Sequence, residues 1–275
     1  MKHWILDDID WHRFEPASVN PEVVALVKSA AMVERNGDDY ALYLKSIFAD
    51  DPDFTAAADR WALEEVQHGD ALGRWASLAD PDFDYPGCFA RYRAGYQIDV
   101  RADASTRGSR SGELVARCIV ETGTSSYYTA LADASAEPVL VQVCRLIAAD
   151  EYRHFKLFYD HLRRYLAREN LSRLGRFQVA LGRATESEDD ELAFAYHVSN
   201  EPAGASYDHQ RCIAGYMGRA MGFYRQPHLD RAMGMMFKAV GLPPRGMLSS
   251  LAGRAAFRLV QWRHGRYQRM LAKMS

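Results

Sequence analysis

The chain has 275 residues, of which 48% are hydrophobic and 25% charged, and its net charge at pH 7 is −2. This length and balance are typical of a globular protein with one large core, and they exclude a disordered chain. No apolar run approaches about 18 residues, the length of a spanning helix. The first residues also turn acidic at once, so no signal peptide is expected. We therefore expect a cytoplasmic protein without a transmembrane segment.

The four cysteines are widely spaced, and none forms a C-x-x-C pair. This spacing argues against a disulfide framework, a zinc knuckle and a built-in rubredoxin module. Cys118 and Cys144 fall in apolar helical stretches and are predicted to be buried core thiols. Electrons for any redox reaction would therefore have to come from a partner.

The first half of the chain predicts two long helices. Residues 1–20 form an extended lead-in, and Pro21 at a first-turn position opens helix A, over about residues 21–48. Gly37, inside helix A, marks either a weak point or a site of close packing. Helix B follows over about residues 53–78 and ends before an Asp-Pro pair.

A long connection separates helix B from the next two helices. Residues 80–111 are rich in Gly, Pro, Ser, Arg and aromatic residues, with a short crossover helix predicted at 89–97 and a loop at 102–111. Helix C covers about residues 112–134, and helix D about 137–169. Strand signals are essentially absent. The predicted fold class is therefore all-α, a four-helix bundle with a long crossover between helices B and C.

Additional C-terminal helices follow a polar loop at 184–190, and prolines mark the breaks between them. The predicted ranges are 189–200, 204–224, 227–240 and 246–273. The predicted organisation is a lead-in at 1–20, a bundle at 21–170, and additional helices at 171–275 that pack on the bundle and end in a basic helix.

Two strings of the form E-x-x-H, at residues 65–68 and 151–154, each lie on a predicted helix. Residues three apart share a helix face, so the Glu and His of one string can reach the same metal pair. One helical glutamate precedes each string, Glu34 on helix A and Glu121 on helix C. The four glutamates are 31, 56 and 30 residues apart in turn. The first and last intervals each fit one helix and the start of its antiparallel neighbour.

This order predicts a carboxylate-bridged di-iron centre. Two E-x-x-H helices and two helices with one glutamate each complete the ligand arrangement of di-iron carboxylate bundles. Four carboxylates offset the charge of two Fe2+ ions, whereas zinc prefers a smaller tetrahedral set and calcium or magnesium would not select histidine. The predicted cofactor is two Fe ions (Fe2+/Fe3+), with a Mn/Fe pair as the alternative. The predicted ligands are Glu34, Glu65, His68, Glu121, Glu151 and His154.

Three further residues are predicted to support these ligands. Metal-bound histidines usually donate their second ring nitrogen to a carboxylate or carbonyl, and each E-x-x-H glutamate follows another acid. We expect Asp150 to hold His68 and Glu64 to hold His154 across the bundle; the alternative is two acids on helix surfaces. Trp61, one turn before the first string, is predicted to fill core space beside the site.

Thr124 lies one turn after Glu121, within the small-residue string 122–126. Its hydroxyl either faces the metal site, where it would hydrogen-bond oxygen or a proton-carrying water, or packs helix against helix. We name it the candidate catalytic residue. Four histidines lack companion ligands at helical spacing and are predicted to be surface or structural: His161, His197, His209 and His228.

The residues around the ligands resemble a known family. The string Trp61-Ala-Leu-Glu-Glu-Val-Gln-His-Gly-Asp-Ala-Leu72 and the string Ile147-Ala-Ala-Asp-Glu-Tyr-Arg-His154 are similar to the two metal-binding helices of the soluble acyl carrier protein desaturases, in the ferritin-like superfamily. Glu121-Thr-Gly-Thr124 is similar to that family's third ligand helix. The resemblance covers about residues 20–170. It implies a ferritin-like homodimer that takes electrons from a ferredoxin-type donor, activates oxygen and removes hydrogens from a fatty acyl chain on acyl carrier protein.

The chain departs from that family in three ways. The helix around Glu34 lacks the family's usual following residues apart from an aromatic at Tyr40, the chain is shorter than the plant-type desaturases, and the last hundred residues show no clear match. The ligand spacing also suits aldehyde-deformylating oxygenases, N-oxygenases and rubrerythrin-like proteins. The hypothesis is therefore a di-iron oxidoreductase acting on an acyl or other long apolar substrate. The alternatives are an oxygenase acting on an aldehyde or amine, and an iron-handling or peroxide-scavenging protein of rubrerythrin or ferritin type.

The C-terminal segment 245–275 carries six arginines and one lysine without a single acid. Such an excess of positive charge steers an acidic partner, or it belongs to a solvated helix. An acidic carrier protein, a membrane surface and nucleic acid all fit the charge. The desaturase resemblance favours a carrier protein, and no nucleic acid partner is expected.

Overall fold

The computed structural model describes residues 3–186 and 190–274, and every regular element in these ranges is a helix. The all-α prediction is therefore confirmed for this part of the chain. None of the helices described is long and apolar enough to cross a membrane. The α-helices are α1 Pro21–Arg35, α2 Gly37–Ile47, α3 Pro52–Ala79, α4 Tyr85–Gly95, α5 Arg110–Ala134, α6 Pro138–Leu166, α7 Arg173–Thr185, α8 Asp190–Asn200, α9 His209–Ala220, α10 Gln226–Val240 and α11 Met247–Met274.

Four helical segments form the bundle: α1 with α2, then α3, α5 and α6. Helix α1 packs along α3, α5 along α6, and α3 against α6. Side chains cap the helix starts, since Asp51 accepts a hydrogen bond from a backbone N–H at the start of α3, Ser109 at α5 and Glu137 at α6. Helices α3 and α6 also have proline in the first turn, where a backbone N–H would have no partner within the helix.

The predicted single helix A is divided in two. Asn36 breaks it with φ −84° and ψ 11°, and α2 then comes so close to α3 that a Cβ at Gly37 would lie 2.5 Å from the Glu65 Cβ. Gly69 repeats this one turn along α3, where a Cβ would lie 2.5 Å from the Arg35 backbone nitrogen. Gly37 is therefore a site of close packing, and only glycine allows this approach.

Two apolar clusters fill the bundle, one on each side of its middle. The first includes Met32, Leu72, Tyr128 and Ile147. The second includes Ala41, Trp61, Cys118 and Phe155. Each bundle segment therefore passes from one cluster to the other, and the predicted ligands lie at the crossing point. All four cysteines are free and buried, as predicted for Cys118 and Cys144.

The remaining helices cover the outside of the bundle. Helices α8 and α9 pack against α1, α7 and α10 pack against α5, and α11 packs against α9 and α10. Helix α7 is missing from the sequence prediction, α9 starts five residues later than expected, and the crossover helix α4 starts four residues earlier. Single 3-10 turns at 6–8, 11–13 and 16–18 interrupt the extended lead-in. The predicted loop at 184–190 overlaps the end of α7 and the first residue of α8. Its middle part and the predicted helix start at 189 fall on residues 187–189, outside those described.

Candidate metal centre

The bundle brings all six predicted ligands together in its interior. Helix α1 supplies one glutamate, α5 another, and α3 and α6 supply one Glu-His pair each. Because each pair is three residues apart on a helix, both side chains point to the same side. No ligand is more than 6% exposed: Glu34, Glu65, His68, Glu121, Glu151 and His154.

These side chains form two overlapping groups, each able to hold one metal ion. Within a group, one potential ligand atom from every residue lies within 4.8 Å of the others. The groups are Glu34, Glu65, His68 and Glu151, and Glu65, Glu121, Glu151 and His154. Glu65 and Glu151 belong to both groups. Carboxylates can bridge two ions, so the arrangement fits a metal pair with two shared ligands.

In the first group, His68 turns Nδ1 toward the carboxylates and Nε2 away from them. Nδ1 lies 3.1 Å from Glu151 Oε1 and 3.7 Å from Glu34 Oε2. Nε2 lies 3.0 Å from Asp150 Oδ2, which also accepts a 2.8 Å hydrogen bond from Trp4 Nε1. The Trp4 ring stacks on the imidazole at a centroid distance of 6.0 Å and an angle of 7°. When Nε2–H donates to Asp150, Nδ1 is left as the acceptor that a metal requires.

The second group repeats this orientation. His154 Nδ1 lies 2.9 Å from Glu65 Oε1 and 3.6 Å from Glu121 Oε2. His154 Nε2 lies 2.8 Å from Glu64 Oε2. The side chain of Glu64 is 24% exposed, whereas that of Asp150 is 1% exposed. The structure thus places both acids against the histidines for which the sequence predicts them.

A third cluster lies outside these two groups, where His3, Glu64 and Asp150 also come within 4.8 Å of one another. The guanidinium of Arg153 occupies the same place, with Nη2 3.6 Å from Glu64 Oε2 and 2.5 Å from Asp150 Oδ1. A cation is therefore already supplied by the protein. We assign this cluster the role of holding the two acids in position.

Five potential ligand atoms of the candidate centre are buried without a hydrogen bond of normal geometry: Glu65 Oε1, His68 Nδ1, Glu121 Oε1, Glu151 Oε1 and His154 Nδ1. Four of them face each other as His68 Nδ1–Glu151 Oε1 and His154 Nδ1–Glu65 Oε1, at 3.1 Å and 2.9 Å, and these pairs are favourable only when the imidazole is protonated. A buried polar atom that lacks a partner typically costs about 1–3 kcal/mol, so five that converge on one space need a common explanation. Bound cations would satisfy all of them. Mixed carboxylate and imidazole donors suit divalent transition metals such as iron and manganese, so the residues present fit a metal pair.

The same crowding shifts the pKa values of the ligands. Burial, followed by repulsion between carboxylates, raises the pKa of Glu65 well above its ordinary value and that of Glu121 to about 8. Burial also acts on Glu151, but contacts with the two histidines outweigh it and lower its pKa to about 2. Burial disfavours charge on His68 and His154, yet the acids around them raise both pKa values. A metal ion that bound here would therefore displace protons from these side chains.

Two other predicted residues touch the candidate ligands. The hydroxyl of Thr124 donates a hydrogen bond to Glu151 Oε2, and its side chain is partly exposed. Trp61 is buried, with its ring edge-on to His154 at 6.4 Å and to Phe158 at 5.5 Å. Thr124 therefore faces the site, and Trp61 fills core space beside it.

Two contacts to the site are absent from the sequence prediction. Tyr128 donates a 2.6 Å hydrogen bond to Glu34 Oε1. It lies seven residues after Glu121 on α5, so helical spacing alone could have identified it. Trp4 is 146 residues from Asp150, and nothing in the local sequence points to that contact. Among the described residues, the four histidines predicted to be surface or structural lie outside all three clusters.

An open cleft of about 530 Å³ lies over the seam between α5 and α6, and none of the six candidate ligands lines it. Ser125 and Tyr152 line it, and each directly follows a residue of the site, Thr124 and Glu151. Its other lining residues are Thr129, Ala132, Asp133, Arg145, Ala148, Ala149 and Arg231.

The sequence matches no family model and no curated protein. The likeness to the acyl carrier protein desaturases therefore rests on the quoted residues alone and stays a prediction. The geometry of the six buried side chains shows two groups that could hold metal ions.

Proposed function

We propose that the protein is an oxygen-activating di-iron oxidoreductase that acts on a long apolar substrate. The observation that carries this proposal is the pair of overlapping ligand groups, which share Glu65 and Glu151 and contain five buried donor atoms without hydrogen bonds. A fatty acyl thioester is the proposed substrate, on the strength of the desaturase resemblance. Iron is the proposed metal, because the donor set combines four carboxylates with two imidazoles.

The ligands divide into terminal and shared positions. Glu34 and His68 would hold one ion, Glu121 and His154 the other, and the two shared glutamates would bridge them. When bound, an iron pair supplies the electrons that reduce oxygen and the oxidising power to attack an unactivated carbon–hydrogen bond.

The surrounding side chains keep this position dry. An apolar cluster lies on each side of the ligands along the bundle, and Trp4 covers the His68 imidazole. Exclusion of water prevents a strong oxidant from being quenched by solvent. An oxygenase needs such a site, because its oxidant must last until it meets the substrate.

Thr124 is the residue proposed to carry protons. Its hydroxyl donates a hydrogen bond to Glu151 Oε2, and its side chain is partly exposed. We assign Thr124 the transfer of protons between solvent and the metal ligands. Because the cysteines are free and buried, electrons would come from an external donor such as a ferredoxin. Acyl carrier protein as the substrate carrier and a homodimer as the assembly complete the proposal.

Oxygen uptake after anaerobic loading with Fe(II) tests this function. The loaded protein is mixed with oxygen and a chemical reductant, alone and with acyl carrier thioesters, acyl coenzyme A esters or aldehydes, and the products are analysed by mass spectrometry. We expect one substrate class to stimulate oxygen uptake and yield an oxidised product. Oxygen uptake that no substrate changes, with ferric iron accumulating in the protein, would instead indicate an iron-handling protein.

A further inference from the structure

Helices α7 and α11 concentrate the large apolar side chains that the structure leaves exposed. Of fifteen such residues in the described part of the chain, nine lie on these two helices. They are Leu174, Phe177 and Leu181 on α7, and Met247, Leu248, Leu251, Leu259, Trp262 and Met274 on α11. Exposed apolar patches of this kind mark interaction surfaces.

On α11 these residues form one outward stripe. Leu248, Leu251, Ala255, Leu259 and Trp262 follow one another at intervals of three or four residues, which keeps them on one helix face. The four large side chains are 67%, 47%, 53% and 58% exposed in chain order. The buried residues of the helix lie on its opposite face: Ser249, Gly253 and Tyr267. At about 1.5 Å per residue, the stripe is roughly 20 Å long.

Helix α7 carries a second, shorter stripe. Leu174, Phe177 and Leu181 are 67%, 48% and 54% exposed and lie at intervals of three and four residues. The loop between α10 and α11 contacts α7, because a Cβ at Gly241 would lie 2.7 Å from a terminal nitrogen of Arg176. Helix α7 therefore lies next to the segment that leads into α11.

The charge of these helices is of one sign. Together they contain eight arginines and one lysine and no aspartate or glutamate, in a chain whose net charge is −2. Arg254 and Arg258 are exposed along one edge of the α11 stripe, and three exposed basic residues continue it toward the C-terminus. Those three are Arg266, Arg269 and Lys273. Two copies that met symmetrically through this surface would set positive charge against positive charge, which disfavours self-association.

We propose that α7 and α11 bind the surface of a lipid bilayer that contains anionic lipids. An amphipathic helix that lies in a bilayer surface buries an apolar stripe at the boundary of the acyl chains, with tryptophan at headgroup level and arginines beside the lipid phosphates. A protein partner that binds an amphipathic helix usually does so in a groove that holds one helix. Apolar stripes on two separate helices are better matched by an extended surface such as a bilayer. The proposal uses no residue of the candidate metal centre, so it stands or falls independently of the oxidoreductase.

Sedimentation with vesicles tests the proposal on the whole chain without added metal. We expect the protein to bind vesicles of phosphatidylcholine mixed with phosphatidylglycerol and to bind pure phosphatidylcholine weakly. The double variant Leu259→Ser/Trp262→Ser should bind at least about tenfold more weakly, because two apolar anchors are lost. Leu63→Ser is the matched control, since Leu63 on α3 is 69% exposed and lies far along the chain from both stripes. It should bind like the unchanged protein.

A second pair of variants tests the charges. Each basic residue at an anionic surface contributes about fivefold to binding, so Arg254→Gln/Arg258→Gln should weaken binding to the mixed vesicles by roughly 25-fold. Arg60→Gln, at an exposed position on α3, should leave binding unchanged. The proposal is overturned if the mixed vesicles do not bind, or if the α11 variants bind as tightly as the two controls. It is also overturned if the α11 variants lose only self-association, or only binding to an acidic protein.

Discussion

The bundle contains a single buried carboxylate, that of Asp51, and a buried group of four in the candidate metal centre, and the two sites differ in how completely the protein satisfies them. Asp51, 7% exposed, accepts hydrogen bonds at Oδ1 from the Phe54 backbone N–H and Arg164, each at 3.1 Å, and at Oδ2 from Tyr165 at 2.7 Å. The candidate metal centre instead keeps five donor atoms without a hydrogen bond. The chain satisfies the Asp51 carboxylate by itself, whereas protons or bound cations have to satisfy the carboxylates of the candidate centre.

The pKa of Asp51 is lowered, whereas that of Glu121 in the candidate centre is raised. Burial alone would raise the pKa of Asp51, but hydrogen bonds from Tyr165, Arg164 and the Phe54 backbone lower it below its ordinary value of 3.8. In the candidate centre, burial and neighbouring carboxylates raise the pKa of Glu121 to about 8. A carboxylate with enough donors is stabilised as an anion, and one among other carboxylates is not. The difference separates a stabilising cluster from a candidate binding site.

The largest expected effect is the loss of both metal ions in Glu151→Ala. Glu151 belongs to both ligand groups, whereas Glu34 and Glu121 each belong to one. We expect Glu151→Ala to hold no tightly bound metal and to lose turnover, and Glu34→Ala and Glu121→Ala each to lose one ion. Elemental analysis after anaerobic loading measures the metal, and circular dichroism checks that the helix content is kept. Two ions retained in Glu151→Ala would contradict the shared position.

A smaller effect is expected at the acids behind the histidines. Replacement of such a partner typically weakens metal binding by about 10- to 100-fold. We expect Asp150→Asn to lie at the upper end of that range and Glu64→Gln at the lower end, because the Glu64 side chain is partly exposed. Competition with a metal-sensing dye measures both affinities. Asp53→Asn, at an exposed site on α3, is the control. An equal loss of metal affinity in this variant would show that Asp150 and Glu64 do not act through the histidines.

Asp51→Ala should affect stability and leave the metal in place. It removes the side-chain cap of α3 and the partner of Arg164 and Tyr165, at a cost of about 2 kcal/mol in the free energy of unfolding. Urea unfolding measures the change, and metal content should stay that of the unchanged protein. Asp53→Ala, in the same first turn but exposed, should cost less than about 1 kcal/mol. Loss of metal in Asp51→Ala would break the distinction between the two sites.

The smallest expected effect is the pH dependence of the Asp51 contribution. Because the folded pKa is below 3.8, the stability that the carboxylate supplies is fully present above its unfolded pKa of about 4. It is lost as the pH falls through the folded pKa. The difference in unfolding free energy between the unchanged protein and Asp51→Asn should therefore be constant near neutral pH and shrink in acid. A difference that grows with falling pH would show that Asp51 is not stabilised as an anion.

The bundle helices and the positions of the six ligands could be predicted because both follow from local patterns. An amphipathic helix shows its period within a few turns, and two residues three apart share a face wherever the helix packs. Helix α7 was not predicted, because its sequence lacks such a local pattern. Two of its thirteen residues are glycine, and among its residues only Ala180 is buried, so no core-facing pattern identifies it.

Long-range packing sets the remaining features. The break at Asn36 follows from the close approach of Gly37 to α3, which no property of helix A itself requires. The contact of Trp4 with Asp150 joins residues 146 positions apart. Such contacts depend on how whole helices and the lead-in pack, and helical periodicity carries no information about them.

The E-x-x-H strings and the two preceding glutamates already specified which side chains could reach a common point, because each is fixed to a helix face. The folded chain established that all six are buried there, that Glu65 and Glu151 are shared by both groups, and that five donor atoms lack a partner. Helical spacing sets the direction of a side chain, whereas burial and hydrogen bonding depend on the neighbouring helices. The candidate metal centre therefore follows from local spacing for its residues and from tertiary packing for its geometry.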